Sequence, residues 1–292
     1  MCDGRRAARE RVLNDIELSR CRACGAVFAN LSAAEIEREN AEIFDEDSEH
    51  TTDYDWSQSS LDDAWFRLLA TRFTRRLGPG RVLDIGCGNG QLLSHFQDLG
   101  WHGVGLDPSS WSRRCSELRG FELLHGFPEE FSGRTPPFTL VLSTSTLEHV
   151  ADPQSHLRAI VGFVGPGGSA YFCGVPNYGS WAVRLNLSSF FANKPPMHVN
   201  YFTPGSLSRL VRTVTQLPFR LRTYGVPELH RLLYLRRERE HDDAASEPDT
   251  LPAERRSAGS VKTLARKLAV RGYYWAGAPL RLGDKLELEL RR

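Results

Sequence analysis

Between residues 58 and 176 the chain alternates between two kinds of apolar spacing. Over 60–77, SLDDAWFRLLATRFTRRL, apolar side chains recur at helical intervals, with Ser60 as the expected N-cap. Gly78-Pro79-Gly80 ends that helix, and the short apolar run 81–85 reads as a buried strand. A glycine turn leads into a helix closed by Gly100, then a strand at 103–106 and a helix opened by Asp107-Pro108-Ser109. Strands follow at 121–124 and 138–143, a helix over LEHVADPQSHLRAIVGFV, and a strand at 169–175 after Gly165-Pro166-Gly167-Gly168. Strict alternation of strand and helix predicts parallel strands joined by crossover helices, an α/β doubly wound sheet. Two further strands are expected at 220–224 and 285–290.

The flanking regions read differently. Residues 1–57 are polar, carry Cys21 and Cys24, and include the acidic tract EIFDEDSEHTTDYDW; they are expected to form a small N-terminal cap on a main domain of 58–292. Residues 177–204, rich in Asn, Pro, Ser and aromatics, suit an ordered lid better than a regular element. Residues 236–260, dense in charge, Ala, Ser and Pro, are expected to be a mobile surface insertion. The stretch 261–282 is amphipathic and is expected to cap the sheet.

Composition narrows the function. Of 292 residues, 40% are hydrophobic and 25% charged, with a net charge of +1, so the positive field of a nucleic-acid binder is missing. No apolar run approaches the ~20 residues that span a bilayer, and no apolar stretch follows the basic N-terminal residues. A cytoplasmic protein with reduced thiols, monomeric or homodimeric, is the expectation.

The segment VLDIGCGNGQLL carries the chemistry. Asp84 ends a buried strand, and Gly86, Cys87, Gly88, Asn89 and Gly90 form the bend before a helix. Glycines there allow a sharp turn and close approach of a ligand, and a helix N-terminus offers unpaired N–H groups. A dinucleotide fingerprint needs G-x-G-x-x-G, but Gln91 and Leu93 occupy its last position in the two registers, and no G-K-[ST] phosphate loop is present. S-adenosyl-L-methionine fits instead, with Asp84 facing its positive amino-acid end. Asp107, at the tip of the next strand, can accept both ribose hydroxyl protons.

These residues resemble class I S-adenosylmethionine-dependent methyltransferases. DIGCGNG is similar to their first motif and GLDPS, with Asp107 and Pro108, to their ribose motif. FTLVLSTSTLEHVADP resembles the strand-four motif of the branch containing ubiquinone-biosynthesis O-methyltransferases and natural-product and sugar methyltransferases. The resemblance implies a Rossmann-like seven-stranded sheet whose last strand, DKLELELRR, runs antiparallel. It implies that Gly126 and Phe127 flank the adenine and that Ser143 and Thr144 lie at the sulfonium end. RCRACGAVFANLSAAE resembles the second half of a zinc knuckle found in some relatives, which makes Cys21 and Cys24 candidate metal ligands, with Cys2 the sole further upstream cysteine. Other relatives hold a divalent cation with E-x-x-E-H; here Ser145 replaces the first acid while Glu148, His149 and His198 remain.

Methyl transfer is an in-line displacement in which the protein mainly aligns donor and acceptor, an effect that can contribute ~7–11 kcal/mol. A general base adds roughly 10²–10⁴-fold for a hydroxyl acceptor. His198, in KPPMHVNYFTP, is the first choice for that base, with His149 beside it and Glu148 in support. Trp181, Tyr201 and Phe202 either line an acceptor pocket or pack the lid, and Tyr54 and Trp56 are read first as packing residues and second as closing over the donor from the N-terminal side. The expected acceptor is a small-molecule hydroxyl; N- or C-methylation and donor binding without catalysis stay open.

Overall fold

The computed structural model describes residues 7–48, 51, 60–180, 183, 195–225 and 283–292. Tyr54, Trp56, Trp181, the 236–260 insertion and the 261–282 stretch lie outside the described residues.

The chain opens on a hairpin. β1 (Ala7–Leu13) and β2 (Ile16–Cys21) pair antiparallel through Asn14 and Asp15, both at positive φ (47° and 62°). Asn and Asp tolerate that left-handed region, and a two-residue turn of this hand matches strand twist. β3 (Val27–Ala29) follows, then α1 (Ala33–Ile43), whose start is fixed by a Ser32–Glu35 capping box.

The main region begins with α2 (Ser60–Leu77) and continues β4 (Arg81–Ile85), α3 (Gln91–Gln97), β5 (His102–Asp107), α4 (Ser110–Arg119), β6 (Glu122–His125), α5 (Pro128–Phe131), β7 (Phe138–Thr144), α6 (Pro153–Phe163) and β8 (Val164–Pro176). β9 (Asn200–Tyr201), α7 (Pro204–Val214), β10 (Phe219–Tyr224) and β11 (Lys285–Arg291) complete it. Seven strands form one sheet in the order β10-β11-β8-β7-β4-β5-β6. β11 runs antiparallel to both neighbours, β8 and β10, while the β8-β7-β4-β5-β6 pairs are parallel, as expected from the sequence.

Several expectations need correction. The helix read over 147–164 is confined to Pro153–Phe163, because Asp152 caps it with bonds from the Gln154 and Ser155 amides (3.0 and 3.3 Å) and Pro153 sits at its first position. The Gly165–Gly168 stretch continues a thirteen-residue strand instead of turning before it. The helix after the glycine bend stops at Gln97, three residues short of Gly100. Ser60 lies within α2 as its first residue. The 177–204 segment, read as irregular, contributes β9, which pairs with β3 and closes a second sheet, β1-β2-β3-β9. Cap and lid thus share one four-stranded sheet.

The core lies on both faces of the large sheet. Phe138, Phe163, Phe172 and Phe202 pack on one side, and Phe73, Phe96 and Tyr171 on the other, all 2% exposed or less. Burial of such rings contributes roughly 1.5–3 kcal/mol each. Arg72 and Arg76 on α2 reach the buried Glu289 of β11 (3.4 and 2.6 Å), which ties the last strand to the first helix of the domain.

Candidate functional site

The site stands at the carboxyl ends of β4, β5 and β7, where β4 is flanked by β5 and β7 and the strand order changes direction, the position where open α/β sheets bind ligands. Gly86, Gly88 and Gly90 all have positive φ (71°, 50° and 74°). A Cβ on Gly88 would come within 2.9 Å of the Trp111 ring, and one on Gly90 within 2.5 Å of Phe121; at Gly86 it would strike Thr146. Side chains therefore back the bend from behind, and both conformation and space demand glycine. The Gly88 amide donates to Asp107 Oδ2 (3.1 Å), and Asn89 Oδ1 accepts from the Gln91 amide (3.0 Å), so Asn89 and Asp107 brace the bend.

Asp84 is 3% exposed and its Oδ1 has no hydrogen-bond partner. Burial first, and the charge of Asp107 second, push its carboxyl up to about 7. Ser143, one strand over on β7, is 1% exposed with its Oγ also unpartnered. Buried polar atoms are seldom left so; the register, Asp84 beside Leu142 and Ile85 beside Ser143, sets the two side chains on opposite faces of the sheet, and Asp84 is the one at the start of the glycine bend. Asp107 Oδ1 accepts from the Ser109 amide and hydroxyl (2.9 and 2.7 Å), so three of a carboxylate's roughly four acceptor positions are engaged. Ser109 itself caps α4. Gly126 donates to the Asp107 carbonyl (3.2 Å), and the neighbouring Phe127 is 47% exposed, an unusual position for an aromatic ring. Pro108 follows Asp107 before the cap. Thr144 lies at the β7 tip with its hydroxyl 3.5 Å from Cys173 Sγ.

Glu148, His149 and His198 come together although 49 residues separate the last two. Each offers one ligand atom, and these atoms lie within 4.8 Å of one another. The lid strand brings this about: the amides of Val199 and Asn200 donate to the Glu148 carbonyl (2.9 and 3.0 Å), and Asn200 Nδ2 donates to the Val150 carbonyl (2.6 Å). His149 Nδ1 lies 2.7 Å from the Met197 carbonyl, which can only accept, so Nδ1 carries the proton and Nε2 the lone pair. That Nε2 stands 3.9 Å from Glu148 Oε1, and the two imidazole rings meet edge to face at 4.9 Å. Burial pushes the Glu148 carboxyl above its ordinary range against the opposing pull of His198, and its Oε2 has no hydrogen-bond partner. Among the described residues this is the one group of three His, Cys, Asp or Glu side chains close enough to hold a metal ion.

Four features of the site escape the sequence pattern. Asn40 on α1 donates to the His149 carbonyl (2.9 Å), and Phe44 packs edge-on against the His149 ring at 5.6 Å. Asn200 ties the lid to the β7 loop. Ser145 adopts φ 49°, a strained conformation for a residue with a side chain, opposite Gly174, where a Cβ would strike the Ser145 hydroxyl. Tyr201 and Phe202 are buried at 3% and 1% and pack in the two cores, with the Tyr201 hydroxyl donating to the His198 carbonyl (2.9 Å); they hold the lid. Cys21 is buried and Cys24 half-buried, in a turn where the Gly25 amide donates to the Cys21 carbonyl (2.8 Å) and Arg209 to the Cys24 carbonyl. No third His, Cys, Asp or Glu joins them among the described residues.

The chain is similar to known proteins in sequence and in fold. A ubiquinone biosynthesis O-methyltransferase of Aromatoleum aromaticum is 31% identical over 148 residues, covering 47% of this chain and 63% of that protein. That of Aeromonas salmonicida is 32% identical over 142 residues, covering 44% and 60%. The chain thus spans less than two thirds of the length of these relatives. Among solved structures, the plantazolicin methyltransferase BamL, crystallised with a desmethyl-plantazolicin analogue and SAH, shares the fold at a TM-score of 0.57 and 13% identity, covering 89% of this chain and 96% of its own. The plantazolicin methyltransferase BpumL does so at 0.51 and 14%, covering 89% and 97%. The family described as "Methyltransferase domain" matches residues 57–214, from the first main-domain helix through the lid and α7, and the chain belongs to that family.

Proposed function

We propose that the protein transfers the methyl group of S-adenosylmethionine to a hydroxyl of a small molecule. The observation that carries this reading is the buried Asp84, its Oδ1 unpartnered, at the start of the glycine bend, with the Glu148–His149–His198 cluster in the loop after the adjacent strand β7. A buried carboxyl with one oxygen unpartnered suits an ammonium group, and Asp107, with three acceptor positions engaged, retains room for a ribose hydroxyl. Phe127, beside Gly126, offers its exposed ring to the adenine. When bound, S-adenosylmethionine supplies an activated methyl group, and the chain has to align the acceptor and take its proton.

His149 Nε2, held as the acceptor nitrogen by the Met197 carbonyl, receives the hydroxyl proton, and the Glu148 carboxylate stabilises the resulting imidazolium. His198, the first choice on sequence grounds, closes the other side of the cluster. The names of the curated relatives support a hydroxyl acceptor. Methyl-labelled S-adenosylmethionine offered with phenols, sugar hydroxyls and sugar amines tests the reading. Label on a hydroxyl is expected; label confined to amines, or a thermal shift with the donor but no acceptor-dependent transfer, refutes it.

One observation favours a second reading of the cluster. Two imidazoles and one carboxylate within 4.8 Å form a donor set suited to zinc or another transition ion more than to magnesium. Glu148, His149 and His198 would hold the ion, which would supply Lewis acidity to the acceptor oxygen. Metal analysis of the purified protein, and turnover after chelation and add-back, separate the two readings.

A further inference from the structure

The end of α1 and the turn after it, residues 40–48, touch two places on the same edge of the large sheet. On the β7 side, Asn40 donates to the His149 carbonyl and Phe44 packs on the His149 ring. On the β5 side, the Glu46 amide donates to Ser110 Oγ (3.1 Å), Ser110 Oγ donates to Asp45 Oδ2 (3.0 Å), and Glu46 pairs with Arg114 (3.3 Å). β4 lies between β7 and β5. A segment bonded to the loop after β7 and to the helix after β5 therefore bridges the two elements that flank β4 and the Asp84–Gly90 bend. Phe44 and Asp45 are consecutive, about 4 Å apart along the backbone, and their side chains reach the His149 ring in one direction and the Ser110 hydroxyl in the other.

The two ends of α1 are held differently. Ile36, 6% exposed, sits in the small core with Leu18, Val27 and Tyr201, so the first half of the helix is fixed to the four-stranded sheet. Residues 45–48 bury no apolar side chain. Among the described residues their recorded bonds to α4 are one ion pair with side chains 34% and 56% exposed and two hydroxyl bonds. Exposed ion pairs contribute only about 0.2–1 kcal/mol, and a segment held by few such bonds opens locally at little cost. Ser48 Oγ, which donates to the Ile43 carbonyl (2.7 Å), and Thr51 Oγ1, which donates to the Asp45 carbonyl (2.5 Å), keep the turn itself in shape, so it can move as a unit.

We propose that residues 40–48 form a strap that closes over the methyl-donor site and that the Asp45–Glu46 to Ser110–Arg114 clasp controls entry and release of the donor. This rests on the donor reading of the glycine bend. Cutting the clasp lowers the barrier in both directions, so the rates of association and dissociation rise together while affinity changes less than either.

The test uses the full chain and labelled S-adenosylhomocysteine in a rapid-dilution release experiment. In a Ser110→Ala/Arg114→Ala variant, release is expected to accelerate about tenfold, the loss of two or three modest hydrogen bonds. Glu46→Arg is expected to speed release as well, and adding Arg114→Glu, which restores the pair with reversed charges, to return it to within about twofold of the wild type. If the wild type holds S-adenosylhomocysteine and every variant releases it at the wild-type rate, or if the charge swap fails to restore a faster single variant, the strap is wrong and the donor reading stands. Absence of binding in the wild type removes both.

Discussion

The two sheets of this molecule are built by opposite means. The seven-stranded sheet is buried on both faces, and its strands read as near-continuous apolar runs, such as VLDI after Arg81 in β4. The groups at its donor side, Asp84 to Asp107, come from one uninterrupted strand–bend–helix–strand stretch. The four-stranded sheet is half exposed, takes three strands from residues 7–29 and the fourth from Asn200–Tyr201, and carries its chemistry on segments distant in sequence. The proposed donor side is therefore fixed by local backbone, and the proposed acceptor side by bonds between segments distant in sequence. Damage to the second should change turnover while leaving donor binding intact.

The largest expected effect falls on the acceptor side. His149→Ala should lower turnover about 10²–10⁴-fold with S-adenosylhomocysteine affinity kept within a few-fold. Unchanged turnover in this variant, with a loss in His198→Ala, moves the base to His198. On the donor side, Asp84→Asn should weaken S-adenosylhomocysteine roughly 100-fold in calorimetry, since it removes a charged acceptor from a buried site. The same variant should raise the melting temperature of the ligand-free protein above pH 7. Because the folded-state pKa, about 7, exceeds the usual 3.8, the folded protein holds a proton more tightly between those values and loses stability as pH rises through them. Asn at this position has no charge to bury.

The same titration gives the wild type a pH signature. The ammonium of the donor prefers ionised Asp84, so affinity should fall by up to about tenfold per pH unit below 7. Isothermal calorimetry with S-adenosylhomocysteine at pH 6, 7 and 8 reads this directly, and a flat profile contradicts it. Smaller again is Asn200→Ala, which unties the lid from the Val150 carbonyl and should cost about 1–3 kcal/mol of stability. Its turnover should fall while donor affinity holds; equal losses in both would erase the contrast between the two sides. Ser32→Ala, which opens the capping box of α1, should cost about 1 kcal/mol in urea denaturation and leave the donor side unaffected.

The same contrast explains what the sequence disclosed. Period and punctuation located most strands of the large sheet to within a residue or two, because those strands are local apolar runs bounded by turn residues; β8, which runs through Gly165–Gly168, starts five residues before the expected 169. The donor groups were legible for the same reason: Asp84, the three glycines and Asp107 stand in order along one segment. The cap hairpin was missed, although Asn14-Asp15 between two alternating stretches is a turn signal of the right kind. The pairing of β9 with β3 leaves no local trace, since a two-residue strand has no periodicity. Asn40 and Asn200 act through backbone carbonyls of a loop elsewhere in the chain, a role that no spacing records. The helix over-read at 147–164 arose because Leu147 and Val150 continue an apolar rhythm that Asp152 and Pro153 restart.

The union of β3 with β9 has a further bearing on how the molecule is made. A chain synthesised from its N-terminus exposes the hairpin and β3 long before Tyr201 exists, so the edge of β3 waits unpaired while the whole donor-binding framework emerges. Contacts of such separation are slow to close and form after local ones. The newborn polypeptide should thus assemble the proposed donor residues before β9 joins β3 and brings His198 to Glu148 and His149.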